Sequence, residues 1–408
     1  MLKNYIKIAL KVLLRRKFFT FISLFAISFT LVVLMVATAT LDYIFAPMPP
    51  ETKQDRTLGV FYMQMTGPNS DWDASPGYAL LNKYMRNISN VEQFSIYGEN
   101  QMASSFKDGM EIKSMLKHTD GEYWKILDFS FIEGRPITDD DEKNANFVAV
   151  INRATREKFF GNESAVGKFI EVNRQRFEVV GVVENVSYLR QIPCSDIWVP
   201  NSTSPQKGER DQIMGGYFGL FLAHDKNDFP LIKKEFQSRL PGIQLPDKDY
   251  NKVDGTPETY FENTARDFFG EGQAPLLLAS ILIIMLLFML LPTINLVNIN
   301  ISRIMERSSE IGIRKSFGAS SWTLVGQFVV ENIIITAIGG VFGFLFAALI
   351  LSAINNSNLI PYAHLQLNLR VFGYGFIMIL FFGILSGVYP AWKMSRLHPV
   401  LALKGISR

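Results

Sequence analysis

The sequence predicts an α-helical membrane protein with four transmembrane helices and a large extracytoplasmic α+β domain inserted between the first and the second. Two observations carry this. Hydrophobic residues make up 48% of the 408-residue chain and collect into four charge-poor blocks. A single long polar segment with strand-like and helix-like runs separates the first block from the second.

Each block is long enough to cross a bilayer. Phe18 to Leu41 carries no charge, and at about 1.5 Å per residue it spans a hydrocarbon core of roughly 30 Å. Gly272 to Ser302 is uncharged, Asn332 to Tyr362 is uncharged after Glu331, and Val371 to Trp392 is the fourth block. The predicted boundaries are a cytoplasmic interfacial helix at 1–17, transmembrane helices at 18–46, 274–302, 322–355 and 371–392, and an extracytoplasmic domain at 47–273. A cytoplasmic segment at 303–321, an outer loop at 356–370 and a cytoplasmic tail at 393–408 complete the chain. The first block is too long for the core of a cleaved signal peptide, so it reads as an anchor. Its lead, "MLKNYIKIALKVLLRRK", puts Lys3, Lys7, Lys11 and Arg15 on one helical face, which suits a helix lying in the membrane interface.

Orientation follows from the short segments. Lys and Arg crowd the lead, the 303–321 segment (Arg303, Arg307, Arg314, Lys315) and the tail, whereas the 356–370 loop has only Arg370. Positive charge stays on the cytoplasmic side, so both termini are expected there and residues 47–273 outside. The net charge of +3 comes mostly from these membrane flanks, and it points to lipid and not to nucleic acid as a partner. Cys194 is the one cysteine, so no internal disulfide can form.

Within the extracytoplasmic domain, "LGVFYMQM" reads as a strand, "YALLNKYMRNI" as a helix and "QFSIYGE" as a returning strand. The pattern recurs in "YFGLFLAH" followed by "DFPLIKKEFQSRL", with Asp228 expected as the helix cap. Two such units predict a split domain, about 47–118 and about 205–262, around an inserted subdomain at about 119–204. The insert holds the strand-like runs "FVAVI", "KFIEV", "RFEVVGVVENV" and "DIWVP". Candidate chemistry is sparse. Asp139 to Glu142 reads as a solvated turn and not a calcium loop, and His118 with Asp120 as a surface pair. No metal site is predicted. "FFGNESAVGK" resembles a phosphate loop, but five residues separate Gly161 from Gly167 and Phe169 replaces the hydroxyl that would reach Mg²⁺. It also lies on the side away from cytoplasmic ATP. It is not expected to bind nucleotide.

In the membrane helices, Asn295 and Asn298 share one face and are expected to bond to a neighbouring helix. Gly339, Gly343 and Ala347, and likewise Gly383, Gly387 and Ala391, place a small residue at every fourth position, which lets helix backbones approach closely. Glu331 is an intramembrane acid for which a structural hydrogen bond and a proton relay both remain open. The cytoplasmic run "EIGIRKSFG" is amphipathic, and Glu310 with Arg314 forms an i,i+4 pair. Such a helix either lies on lipid or is presented to a cytoplasmic protein.

"ERSSEIGIRKSFGAS", Glu331 with "GGVFG", and the closing "YPAWKMSRLHPVLALK" resemble the permease domain of MacB/FtsX-type ABC transporters. "FSFIEGRPITDDDEKN", "FVAVINRATREKFFGNESAVGKFIEV", "FEVVGVVENV" and "IWVP" resemble the periplasmic core domain of the MacB branch. The resemblance covers nearly the whole chain. It implies one helix before the periplasmic domain and three after, a porter-like split subdomain with an insert, and a homodimer or paralogous permease heterodimer in a bacterial inner membrane. MacB proper carries its ATPase at the N-terminus, whereas this chain shows no Walker loop. The resemblance therefore implies a separate ABC ATPase subunit that binds ATP and Mg²⁺, with no cofactor and no enzymatic activity in this chain. Glu306, Arg307, Glu310, Ile311, Gly312, Ile313, Arg314, Lys315 and Gly318 would couple to that ATPase. Its closure would drive export or extraction of a substrate by mechanotransmission, with room for a periplasmic adaptor or an outer-membrane partner. The alternative is a membrane-anchored extracytoplasmic sensor without transport, which should carry a cytoplasmic signalling module. A membrane enzyme would need a nucleophile, paired acids or a metal cluster, and a secondary transporter would need repeats and broken helices.

Overall fold

A computed structural model describes residues 13–15, 17–107, 110–205, 207–245, 249–306, 313, 317 and 321–395. The chain divides into two compact units: one of residues 43–277 with 360–363, the other of the remaining helical parts. In order, the elements are α1 (Lys17–Phe45), β1 (Thr57–Val60), β2 (Met63–Thr66), β3 (Asp71–Ala74), α2 (Tyr78–Tyr84), β4 (Val91–Gly98), β5 (Gln101–Lys107) and β6 (Met110–Thr119). They continue with α3 (Gly121–Ile126), β7 (Phe131–Gly134), α4 (Asp139–Lys143), β8 (Val148–Asn152), α5 (Arg153–Phe160), β9 (Phe169–Val172), β10 (Gln175–Val183), β11 (Ile197–Pro200) and β12 (Tyr217–Ala223). The last are α6 (Phe229–Arg239), β13 (Lys252–Asp254), α7 (Tyr260–Phe269), α8 (Ala274–Glu306), α9 (Ser321–Asn356) and α10 (Leu369–Ser395).

The α+β unit is built on one mixed sheet of ten strands, in the order β1-β12-β4-β6-β11-β8-β10-β7, with β5 added to β6 and β9 to β10. Most pairs are antiparallel, but β6 with β11 and β8 with β10 are parallel. β8 is buried at every position, as expected of a Val/Ile strand covered on both faces. A second sheet of three strands runs β13-β2-β3. One apolar core draws on Leu58, Met63, Leu81, Phe94, Phe221 and Phe236. Another centres on Tyr123, Trp124, Val150, Trp198 and Leu222, and a third on Ala149, Ile170, Phe177 and Val199.

Four sequence expectations are corrected here. "LGVFYMQM" is two strands in two sheets, because Phe61 and Tyr62 leave the ladder to pack on Phe218, Tyr260 and Arg266. Asp228 stands at the N-cap position of α6, but its side chain makes no capping bond to that helix. A 3₁₀ turn, Lys226–Asp228, precedes the helix; Asp225 caps that turn, and Asp228 reaches back to the Asp225 N–H. The acid run is not a solvated turn but α4, where Asp141 is 3% exposed and closes a capping box with Thr138. Arg135 and the Thr138 and Asn146 side chains hold the Asp141 carboxyl well below the usual range despite its burial. His118 and Asp120 are not a surface pair: both are buried at the edge of β6, and Asp120 caps α3 while accepting from Ser95 Oγ and Ile96 N.

In the helical unit, α1 and Val329–Asn356 of α9 are each long and apolar enough to cross a membrane. A shorter apolar stretch, Leu369–Phe381, begins α10. α1 packs along α9 through Ile27, Leu31, Val32 and Met35.

Candidate functional site

The site is built around the end of the first long helix. α1 runs unbroken to Phe45, so its last turn, from Tyr43, belongs to the α+β unit. There it meets Arg190, which is 2% exposed. Arg190 Nη2 donates to the Ala46 carbonyl at 2.6 Å, while Nη1 donates to Glu51 Oε2 at 2.9 Å and Gln54 Oε1 at 3.3 Å. The guanidinium also lies 5.6 Å from the Tyr43 ring. Buried, charge-assisted bonds of this kind fix geometry closely, since neither ion can leave its partner without stranding a charge in the interior. Burial raises the Glu51 carboxyl pKa, and the Arg190 charge opposes the rise.

Arg190 sits in a strap, residues 187–194, that β10 and β11 leave between them. The strap is wound by Arg190 N–H to Ser187 O and Cys194 N–H to Arg190 O, at 2.9 and 3.0 Å. It is tied to the main sheet by Lys117 on β6, whose ammonium donates to the carbonyls of Gln191 at 3.1 Å and Ile192 at 2.5 Å. Tyr123 Oη donates to Ile192 O at 2.9 Å and Asn100 Nδ2 to Cys194 O at 2.8 Å. Burial pushes the Lys117 pKa down to about 7 and the Cys194 thiol up to about 11. A chain of buried contacts thus runs from the α1 end through Arg190 to the strap, and through Lys117 to β6 in the ten-stranded sheet.

α7 meets the same helix end. The Phe45 ring lies 5.9 Å from Tyr260 and 5.2 Å from Phe261. Thr259 and Glu262 form the capping box that starts α7, and Arg266 pairs with Glu258 at 2.9 Å. Gly270 and Gly272 follow with φ of 92° and 74°, angles that glycine adopts readily, before α8 begins at Ala274. The segment leading out of α1 and the segment leading into α8 thus touch within the α+β unit.

On α9, a Cβ at Gly339 would meet Ile27 Cγ2 at 2.7 Å, and one at Gly343 would meet Leu31 Cβ at 2.8 Å. Ser28 Oγ donates to the Gly339 carbonyl at 2.9 Å, and Ala347 is fully buried against Val32 and Met35. Glu331 and Asn332 are buried at 2% and 5% exposure. Asn298 is exposed on α8. Asn295 lies on α8 and Gly383, Gly387 and Ala391 on α10; Glu306 is the last residue of α8. Of the coupling residues, Arg307, Glu310, Ile311, Gly312, Arg314, Lys315 and Gly318 lie outside the described residues, as do residues 1–12 of the basic lead; Ile313 is exposed. In "FFGNESAVGK", Gly161 ends α5 and Gly167 precedes β9, both at positive φ, and Lys168 is held by Glu163 and lies over the Phe160 ring. Arg190, Glu51 and Tyr43 were not singled out from sequence. The one available signal was an arginine inside the otherwise uncharged "VSYLRQIPC".

Residues 20–238 match the family model described as the MacB-like periplasmic core domain, and residues 282–399 match that of the FtsX-like permease C-terminal region. The chain is similar to the uncharacterized ABC transporter permease YknZ of Bacillus subtilis, 26% identical over 85% of each chain. It is 28% identical to the pyoverdine export ATP-binding/permease protein PvdT of Pseudomonas syringae over 72% of this chain and 43% of that protein. It is 27% identical to the macrolide export ATP-binding/permease protein MacB of Wolinella succinogenes over 75% of this chain and 44% of that protein. The chain thus spans less than half the length of these last two relatives. The first family model takes in more than half of the chain, so this protein belongs to the family of the MacB-like periplasmic core domain, joined to an FtsX-like permease region.

Proposed function

We propose that the chain is the membrane-spanning permease of an ABC exporter, driven by a separate ATPase subunit and working by mechanotransmission. The observation that carries this reading is the Arg190 clamp on the end of α1. In this reading α1, α8, α9 and α10 are four spans in the inner membrane, both termini are cytoplasmic, and the core domain stands in the periplasm. Each helix is 27 residues or more, which at about 1.5 Å per residue is enough for a tilted crossing. The ATPase, loaded with ATP and Mg²⁺, docks on the amphipathic segment Glu306 to Gly318. Its closure moves the helices as stiff rods, and the clamp hands that motion to the strap and the sheet. α8 exposes apolar side chains around its circumference, Leu278, Leu282, Ile284, Leu287 and Ile294 among them, which lipid and a second copy or a paralogous permease would share.

Docking is tested by Glu310→Lys and Gly318→Val in the native membrane. A surface Glu310–Arg314 pair contributes only about 0.3 to 0.5 kcal/mol to its own helix, so the chain should reach normal levels. A reversed charge in a buried interface costs about 2 to 5 kcal/mol, so the co-purifying ATPase should fall by tenfold or more. Full ATPase recovery with both variants together would assign the segment to the lipid surface instead.

A further inference from the structure

A cavity of about 570 Å³ opens in the core domain beside the strap, within the size range of ligand pockets. Its wall mixes polar side chains with six aromatic ones, Phe61, Tyr62, Tyr97, Tyr188, Phe218 and Tyr260. The cationic groups that reach it are already engaged. Lys117 donates to two carbonyls, and Arg266 is paired with Glu258 at 2.9 Å and Asp267 at 3.6 Å while lying 4.3 Å from the Tyr62 ring. Among the described residues, the carboxylates of Asp73 and Glu99 are bound only by the hydroxyls of Tyr62 and Ser75, and both residues are exposed at the rim. The cavity therefore presents aromatic rings among polar groups, with two carboxylates at its rim that no cation pairs among the described residues.

A second feature adjoins it. Asp73 and Ala74, which line the cavity, belong to β3, the last strand of the three-stranded sheet. No strand pairs with its outer edge among the described residues, and Asp71, Trp72 and Asp73 are all exposed. A free edge offers main-chain N–H and C=O groups at strand spacing. Because Asp73 and Ala74 belong to both, an occupant of the cavity meets β3, and an extended peptide can engage the rings and the strand together. We infer that the cavity and the β3 edge bind an extended cationic peptide segment, the peptide adding to β3 while an aromatic side chain enters the ring-lined cavity and an adjacent Lys or Arg meets Asp73 and Glu99. This rests on the exporter reading only for what the bound segment is for: a substrate, or the tail of one.

The test uses the full chain in nanodiscs of zwitterionic lipid, without ATPase, so its outcome is independent of the docking experiment. A fluorescein-labelled peptide of alternating lysine and phenylalanine is titrated by anisotropy. So are its glutamate–phenylalanine twin and a twin N-methylated at every backbone amide. The lysine peptide should bind, weakening about tenfold or more when Asp73→Asn and Glu99→Gln are combined, with thermal unfolding unchanged. The N-methyl twin, unable to complete a strand ladder, should bind at least about tenfold more weakly, and the glutamate twin should not bind. Equal binding of the two charge twins, equal binding to empty nanodiscs, or indifference to the double substitution would overturn the peptide site. Equal binding of the N-methyl twin would overturn strand addition.

Discussion

A guanidinium that is 2% exposed keeps its place only while its partners stay, and Arg190 has three on the segment that follows α1. Arg190→Met should strand Glu51, itself 5% exposed, and destabilise the core domain by about 3 to 5 kcal/mol. Adding Glu51→Met should recover most of that loss, because an apolar pair of similar volume replaces the ions. Denaturant unfolding of the full chain, followed by tryptophan fluorescence, distinguishes the two; equal loss in single and double variants would mean the ion pair is not the main contact. His118 gives a pH prediction at the same scale. Burial, and next the charge of Arg210, push its pKa down to about 4, and its Nε2 has no hydrogen-bond partner among the described residues. Its unfolded value is about 6.5, so as pH falls from there the unfolded chain takes up a proton that the folded chain refuses. The stability that this neutral histidine provides is complete above about pH 6.5 and drains away toward pH 4, by about 3 kcal/mol. His118→Gln should flatten the acid limb relative to the natural chain, and coincident limbs would contradict the assignment.

Among the elements, the contact between α1 and α9 makes the sharpest claim. Gly343→Ala adds a Cβ that would sit 2.8 Å from Leu31 Cβ, whereas Gly326→Ala on the same helix meets nothing within 4 Å among the described residues. Alanine is otherwise the better helix former by about 0.5 to 1 kcal/mol, so Gly326→Ala should be neutral or stabilising and Gly343→Ala destabilising by about 1 to 3 kcal/mol. Thermal scans in detergent check the sign of each, and a stabilising Gly343→Ala would dissolve the proposed packing. Much at this scale was legible from spacing alone: the Gly339, Gly343, Ala347 series, the long charge-free blocks, and strands such as β4, β8, β10 and β12. What was hidden has physical reasons. Phe61 and Tyr62 continue the apolar run of β1 and only tertiary aromatic contacts turn them out of it. Asp141, His118 and Asp120 carry ionisable groups that sequence patterns place on the surface; local caps and hydrogen bonds make the burial of the two aspartates tolerable, and His118 is buried as the neutral imidazole. The Arg190 clamp joins positions far apart in sequence, and no local period announces such a pair.

For the whole molecule, topology and transmission are the claims. In a Cys194→Ser background, Lys207→Cys should react with an impermeant thiol reagent in cells with a permeabilised outer membrane, and Ser308→Cys should not. The reverse pattern would invert the protein in the membrane. Transmission can be observed without knowing the substrate. Hydrogen exchange of the strap amides, residues 187–194, is compared in the ATPase-bound complex with and without a non-hydrolysed ATP analogue, for the natural chain and for the Arg190→Met, Glu51→Met double variant. Nucleotide should change strap exchange in the natural chain, and in the folded double variant that response should disappear while the ATPase stays bound. A strap that ignores nucleotide in the natural chain, or responds equally in the variant, would contradict transmission through the clamp.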